Sequence, residues 1–142
     1  MKILVIRFSS IGDIVLTTPV VRALKTQIAD AEVHYVTKSR YQSILESNPY
    51  IDKTILLEDD LWKLIGQLRE EKYDCIVDLH NNIRTRIIKI ALGIKAYTFS
   101  KLNFEKWLLV NFKINQLPSV HIVDRYLDSV EPLGVKADAL GL

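Results

Sequence analysis

Two short runs constrain this chain most. Ile3-Leu4-Val5-Ile6 and Cys75-Ile76-Val77 are apolar at every position, with no in-and-out alternation. Runs of that kind suit strands covered on both faces, and so the middle of a parallel sheet. They belong to a series of short strand-like stretches at residues 2–8, 32–37, 53–57, 74–79 and 96–99. Longer segments of helical period separate them. Leu61, Trp62, Leu64, Ile65 and Leu68 share one helical face. Glu58, Asp59 and Asp60 precede that helix, and Arg69 and Lys72 lie near its end, as the helix dipole favours. Ile83, Ile87, Ile88, Ala91 and Leu92 form a second stripe, closed by Gly93. Val123, Tyr126, Leu127 and Val130 form a third, ended by Pro132 and Gly134.

The first helix admits two readings. It can start at Asp13 and kink at Pro19, or start at Thr18 with Pro19 at N1. The earlier start is preferred, because Gly12-Asp13 offers a turn and a cap directly after the first strand. The alternation as a whole predicts an α/β fold, a Rossmann-like doubly wound parallel sheet with right-handed crossovers. The 142 residues suit one domain, placed at 1–134. Residues 135–142 read as a frayed end or the start of a linker.

Composition removes several classes of function. Nineteen basic and 17 acidic residues leave a net charge of +2, too little to imply a nucleic-acid partner. Cys75 is the single cysteine, so an intramolecular disulfide is impossible and a reducing, cytoplasmic compartment is allowed. Its apolar neighbours suit a buried structural thiol better than a nucleophile. No apolar run reaches the roughly 18 residues of a membrane span, and Arg7 cuts the N-terminal run too short for a signal peptide. His34, His80 and His121 are scattered, with no zinc-ligand spacing.

In open parallel sheets ligands bind beyond the carboxyl ends of the strands, where strand order reverses. With the common order 3-2-1-4-5, the loops after strands one and four become neighbours. These are Ser9-Ser10-Ile11-Gly12-Asp13 and His80-Asn81-Asn82-Ile83-Arg84, both polar. The loop after strand two adds Lys38, Ser39 and Arg40. Ser9, Ser10 and the amides near Gly12 can donate to anions or hydroxyls, and Gly12 permits close approach. Asp13 is either a helix N-cap or a positioned proton acceptor, held ionised and so a weak free base. Arg84, Arg86 and Lys89 form either an anion-binding group or a solvated face. Asp78 can satisfy nearby amides. One glycine where a dinucleotide fingerprint needs three, and no P-loop Gly-Lys-Ser/Thr, weaken nicotinamide and ATP readings. No Gly-x-Ser-x-Gly elbow supports a hydrolase. From Leu102 to Leu117, Phe104, Trp107, Phe112 and aliphatic residues interleave with Lys101, Lys106 and Lys113. That stretch is a helix packed on the sheet edge, a flap over the crevice, or a basic amphipathic contact for an anionic membrane surface.

The opening stretch through Arg7-Phe8-Ser9-Ser10-Ile11-Gly12-Asp13-Ile14-Val15-Leu16-Thr17-Thr18-Pro19 closely resembles that of the ADP-heptose:lipopolysaccharide heptosyltransferases, glycosyltransferase family nine. Ser47-Asn48-Pro49-Tyr50-Ile51-Asp52, Tyr73-Asp74-Cys75-Ile76-Val77-Asp78-Leu79-His80-Asn81-Asn82-Ile83-Arg84-Thr85 and His121-Ile122-Val123-Asp124-Arg125-Tyr126 are similar in the same order. The resemblance implies the N-terminal, acceptor-binding half of a GT-B glycosyltransferase. It implies an inverting, metal-independent transfer with no cofactor. The acceptor it implies is a lipid-linked anionic glycan, a lipopolysaccharide core or a related surface glycan. The donor it implies is a nucleotide sugar, ADP-heptose, which would be held by a C-terminal domain absent from this chain, leaving the chain by itself expected to be inactive. By position it assigns Asp13 as the base, Ser9, Ser10, Gly12, Lys38, Asn81, Arg84 and His121 to the acceptor, and the cytoplasmic face of the inner membrane as location. Family chains are more than twice this long, and His80-Asn81-Asn82 stands where many relatives carry Gln-Gly. The competing reading is a stand-alone flavodoxin-like binding or regulatory module for an anionic small molecule.

Overall fold

A computed structural model describes residues 1–99 and 118–138, with side chains of the second stretch described from residue 123. The segment from Leu102 to Leu117 therefore lies outside the described residues. Strand β1 (Lys2–Ile6) leads into a short helix α1 (Ile11–Leu16) and a longer α2 (Thr18–Gln27). Strand β2 (Glu32–Lys38) is followed by α3 (Gln42–Glu46), β3 (Lys53–Leu57) and α4 (Leu61–Glu71). Then come β4 (Cys75–Asp78), α5 (Ile83–Leu92), β5 (Lys95–Thr98) and α6 (Pro118–Val130). The described sheet is wholly parallel in the order β3-β2-β1-β4-β5, the expected order. Its reversal point lies between β1 and β4.

The two all-apolar runs are the central strands, and each is covered on both faces. Ile3 and Val5 pack with Val20, Leu24, Val33, Tyr35, Val77 and Val130 on one side. Leu4 and Ile6 pack with Val36, Leu64, Leu68, Ile76 and Ile88 on the other. The period of two sends successive side chains to opposite layers, so α1, α2, α3 and α6 cover one face and α4 and α5 the other.

Helix ends follow local chemistry. The Asp60 carboxylate caps α4 by accepting from the N–H groups of Trp62 and Lys63. Asn82 caps α5 by accepting from Thr85 N–H at 2.9 Å, and Gly93 ends it at φ 63°.

One expectation is corrected. The first helix is two helices, with Thr17 as the hinge between them. Thr17 is fully buried, and its hydroxyl meets Ile14 O and, at 2.7 Å, Tyr35 Oη. Pro19 lies in the first turn of α2, where its missing N–H costs nothing, so it starts a helix and kinks none. Residues 135–138, expected to be a frayed end or the start of a linker, are held against the domain. Val135 is buried, and Asp138 receives a two-pronged bond from the Arg22 guanidinium at 2.6 and 2.7 Å.

Candidate functional site

The loops after β1 and β4 meet at the carboxyl edge, and one buried side chain joins them. Arg7 follows the last residue of β1 and is only 9% exposed. Its Nη1 donates to Leu79 O at 2.9 Å, its Nε to Ser9 O at 2.6 Å, and its Nη2 lies 3.1 Å from Asp13 Oδ2. Phe8 makes a second joint. Its N–H donates to His80 Nδ1 at 3.2 Å, its ring lies 5.4 Å from the His80 ring, and the Arg84 guanidinium lies 6.0 Å from the Phe8 ring centroid. The Phe8 carbonyl accepts from Lys38 N–H at 3.4 Å and from the Thr37 hydroxyl at 3.3 Å. Three loops are thereby fastened to the two residues that leave β1.

Asp13 is the third residue of α1, and Ser10 is its N-cap, so the expected cap at Asp13 shifts by one turn. From there the carboxylate reaches back. Its Oδ2 accepts from Ser10 Oγ at 2.8 Å and from Ser10 N–H at 3.4 Å, beside the Arg7 contact. Partial burial pushes the Asp13 carboxyl up, but the Ser10 hydroxyl and then the Arg7 charge outweigh it, and the group ends below the usual carboxylate range. It is an ionised, oriented acceptor at neutral pH. Among the described residues, Oδ1 carries no hydrogen bond.

The other expected residues fall as follows. Ser9 contributes its carbonyl to Arg7. Gly12 lies in α1, and a Cβ there would meet none of the described residues within 4 Å, so packing among them places no demand for glycine. Asn81 has a left-handed backbone (φ 55°), which asparagine tolerates better than most residues. Fully buried Asp78 accepts from the His80 and Asn81 N–H groups through Oδ1 and faces the Lys89 ammonium at 2.9 Å through Oδ2. That carboxylate shapes the turn. His121 lies in α6, and its side chain is outside the described residues.

Lys38 and Arg84 come together with Arg40 in a cleft of about 460 Å³ that also holds Glu58 and Asp59. Cations there can hold anionic groups, while the carboxylates can accept from hydroxyls. This mixture suits a hydroxyl-rich anionic ligand more than a bare polyanion. A larger cleft of about 590 Å³ runs beside β3 and α4, but it contains nothing from the loops after β1 and β4. Its five carboxylates against Lys53 and Lys63 disfavour an anion.

At the opposite edge, Glu32, His34 and Glu71 bring potential ligand atoms within 4.8 Å of one another. Ammonium groups already fill the cationic role among them. Lys2 lies 3.0 Å from Glu71 and 3.6 Å from Glu32, and Lys53 lies 3.0 Å from Glu71. Buried His34 bonds Tyr73 Oη at 2.8 Å through Nδ1. The Lys53 and Lys2 ammoniums hold the Glu71 carboxyl down at about 2, from 4.5. A carboxyl depressed by folding stabilises the fold above its unfolded value, and that contribution fades as the pH falls from 4.5 towards 2. Glu71→Gln is therefore expected to lower the melting temperature at pH 7 and to flatten its decline below pH 4.5. Melts from pH 7 to about 2.5 check this; equal slopes for the two proteins would contradict it.

Sequence reading missed Arg7 and Phe8 as site residues. The available signal was a charged side chain directly after four core residues, six positions before Asp13. Cys75, as expected, is buried, and burial pushes its thiol up to about 11.

No family model matches the chain. Among curated proteins it is similar to lipopolysaccharide heptosyltransferase 1 of Campylobacter coli, 29% identical, over 89% of this chain and 40% of that protein. Among solved structures it is similar to the ADP-heptose lipopolysaccharide heptosyltransferase II of E. coli, 27% identical, with a TM-score of 0.63 over 69% of this chain and 30% of that one. A family 9 glycosyl transferase from Veillonella parvula shares the fold, with a TM-score of 0.74 at 22% identity, over 99% of this chain and 43% of that one. The chain spans about 40% of the length of the curated relatives it matches. The resemblance carried by the motifs is thus upheld, as is a Rossmann-like fold shared with part of larger glycosyltransferases.

Proposed function

We propose that this chain is the acceptor-binding part of a heptosyltransferase-type glycosyltransferase acting on the lipopolysaccharide core. One observation supports it above the others. The carboxylate-bearing loop after β1 and the loop after β4 are fastened together at the sheet's reversal point, through Arg7 to Leu79 and Phe8 to His80. In this reading Arg84 and Lys38 hold carboxylates or phosphates of a lipid-linked glycan by charge-assisted bonds. Ser9, Gly12, Asn81 and His121 border the same acceptor.

One acceptor hydroxyl lies against Asp13. Its proton passes to the Asp13 carboxylate as its oxygen bonds to the donor's anomeric carbon. The bond from that carbon to the nucleotide diphosphate breaks, and the electron pair leaves on the phosphate. Attack opposite the leaving group inverts the anomeric centre, and no metal or cofactor enters the step. A carboxylate of lowered proton affinity is a weak free base, so it serves as a positioned acceptor in a concerted transfer, where positioning supplies much of the acceleration. The nucleotide-sugar donor, ADP-heptose, binds chain beyond these residues, so this chain alone turns nothing over. A lipid-linked acceptor also places the enzyme at the cytoplasmic face of the inner membrane, with the stretch from Leu102 to Leu117 as the contact.

Binding to the 142-residue chain tests the reading. By calorimetry, a core-sugar fragment bearing carboxylates or phosphates is expected to bind and to weaken with salt. Arg84→Ala and Lys38→Ala should each weaken it by roughly tenfold or more, the scale of one charged hydrogen bond. Tighter binding of a nucleotide sugar, or an affinity indifferent to both substitutions, would overturn the reading in favour of a separate binding module.

A further inference from the structure

The donors around Asp13 are unevenly shared. Ser10 Oγ, Ser10 N–H and Arg7 Nη2 all converge on Oδ2. Oδ1 receives none among the described residues, while the Asp13 side chain stays 36% exposed. One oxygen is an anchor, and the other has no hydrogen-bond donor among the described residues. Arg7 itself cannot drift. Its Nε and Nη1 are held by the carbonyls of Ser9 and Leu79, one from each loop, and the residue is 9% exposed. A guanidinium fits this task because its planar fork presents donors in fixed directions, which an ammonium does not.

We infer that Arg7 is a positioning residue: it pins Asp13 by Oδ2 across the seam between the two loops, so that Oδ1 is the oxygen that takes the acceptor's proton. Ser10 is its partner in this. The inference rests on the proposed role of Asp13 as base and adds which atom acts and what orients it. Two consequences oppose each other. The Arg7 charge weakens Asp13 as a base, while its geometry aims the carboxylate. Without Arg7 the carboxylate becomes more basic and yet less effective. A residue serving stability alone would not produce that combination.

The test combines two readouts. In the 142-residue chain, NMR titration follows the Asp13 carboxyl carbon in the native protein, Arg7→Met and Arg7→Lys. In the active enzyme carrying its donor-binding part, kcat is followed against pH with acceptor and nucleotide sugar. For Arg7→Met the Asp13 midpoint should rise, as expected when an adjacent guanidinium is lost. Its kcat should fall roughly 100-fold, the scale of a misaimed reacting group, and its acid limb should move to higher pH. Arg7→Lys should keep the low midpoint, because the charge remains, and recover only part of kcat, because the fork is gone.

Unchanged midpoint and kcat in Arg7→Met would overturn the inference. Full kcat in Arg7→Lys would do the same, and it stands as the deciding variant if Arg7→Met fails to fold. Asp13→Asn separates the two levels. If it keeps turnover, the base assignment itself falls. If it is inactive while Arg7→Met behaves as native, only the role of Arg7 falls.

Discussion

Asp13→Asn in the active enzyme is expected to lower kcat by roughly 100- to 10,000-fold, the usual contribution of a positioned general base, with the acceptor still bound. Asparagine is the informative replacement because Asp13 also serves the fold. Its Oδ2 completes the start of α1 and neutralises a buried guanidinium. The asparagine carbonyl can accept from Ser10 and Arg7 in the same place, and the amide nitrogen then stands where Oδ1 stood, unable to take a proton. Alanine removes both functions. Both replacements remove the charge that faces Arg7, but alanine also removes the acceptor for Arg7 and Ser10, a further loss of about 1–3 kcal/mol once partial solvent screening is allowed for. Turnover lost by alanine therefore mixes chemistry with a loosened loop. Thermal melts and acceptor affinity measured beside kcat separate these. A full-rate Asp13→Asn enzyme would leave the carboxylate as a capping residue only.

Most of the scaffold could be read locally, and the reasons are visible in single residues. Ile3 to Ile6 lack alternation because both faces of β1 are covered, and the same holds for Cys75 to Val77. Asp60, Asn82 and Gly93 announce helix ends because the orphan N–H and C=O groups there demand particular side chains or a left-handed backbone. Thr17 was harder. Its break depends on a hydroxyl satisfied from β2, by Tyr35, and no periodicity in residues 11–27 records that partner. The candidate site divides in the same way. Asp13, Arg84 and Lys38 could be placed because strand order alone brings their loops to one edge. Arg7 could not be assigned, because its meaning lies in Leu79, 72 residues away. The Arg22–Asp138 pair spans 116 residues, which is why residues past Gly134 read as loose. Long-range polar pairs leave no local period, so sequence patterns find the frame and miss its fasteners.

Phe8→Ala is expected to cost about 3–5 kcal/mol, the usual penalty for emptying a buried aromatic site. Phe8 is 1% exposed and lies against the face of the core that holds Leu4, Ile6, Val36 and Ile88. The void would open where the three loops join, because the ring also meets His80 and lies 6.0 Å from the Arg84 guanidinium. The backbone bonds of Phe8 to His80 and Lys38 can persist in alanine, since they use only the main chain. Stability and site geometry should therefore respond differently. Chemical denaturation should show the loss in midpoint with little change in slope. Acceptor binding at low temperature, where the variant stays folded, should weaken less than in Arg84→Ala, because the charge that holds the ligand is still present. Phe8→Leu, which refills most of the volume, should recover more than half of the stability. A loss below about 1 kcal/mol in Phe8→Ala would mean that the joint collapses around the gap, and that the loops are held by Arg7 and the main chain alone.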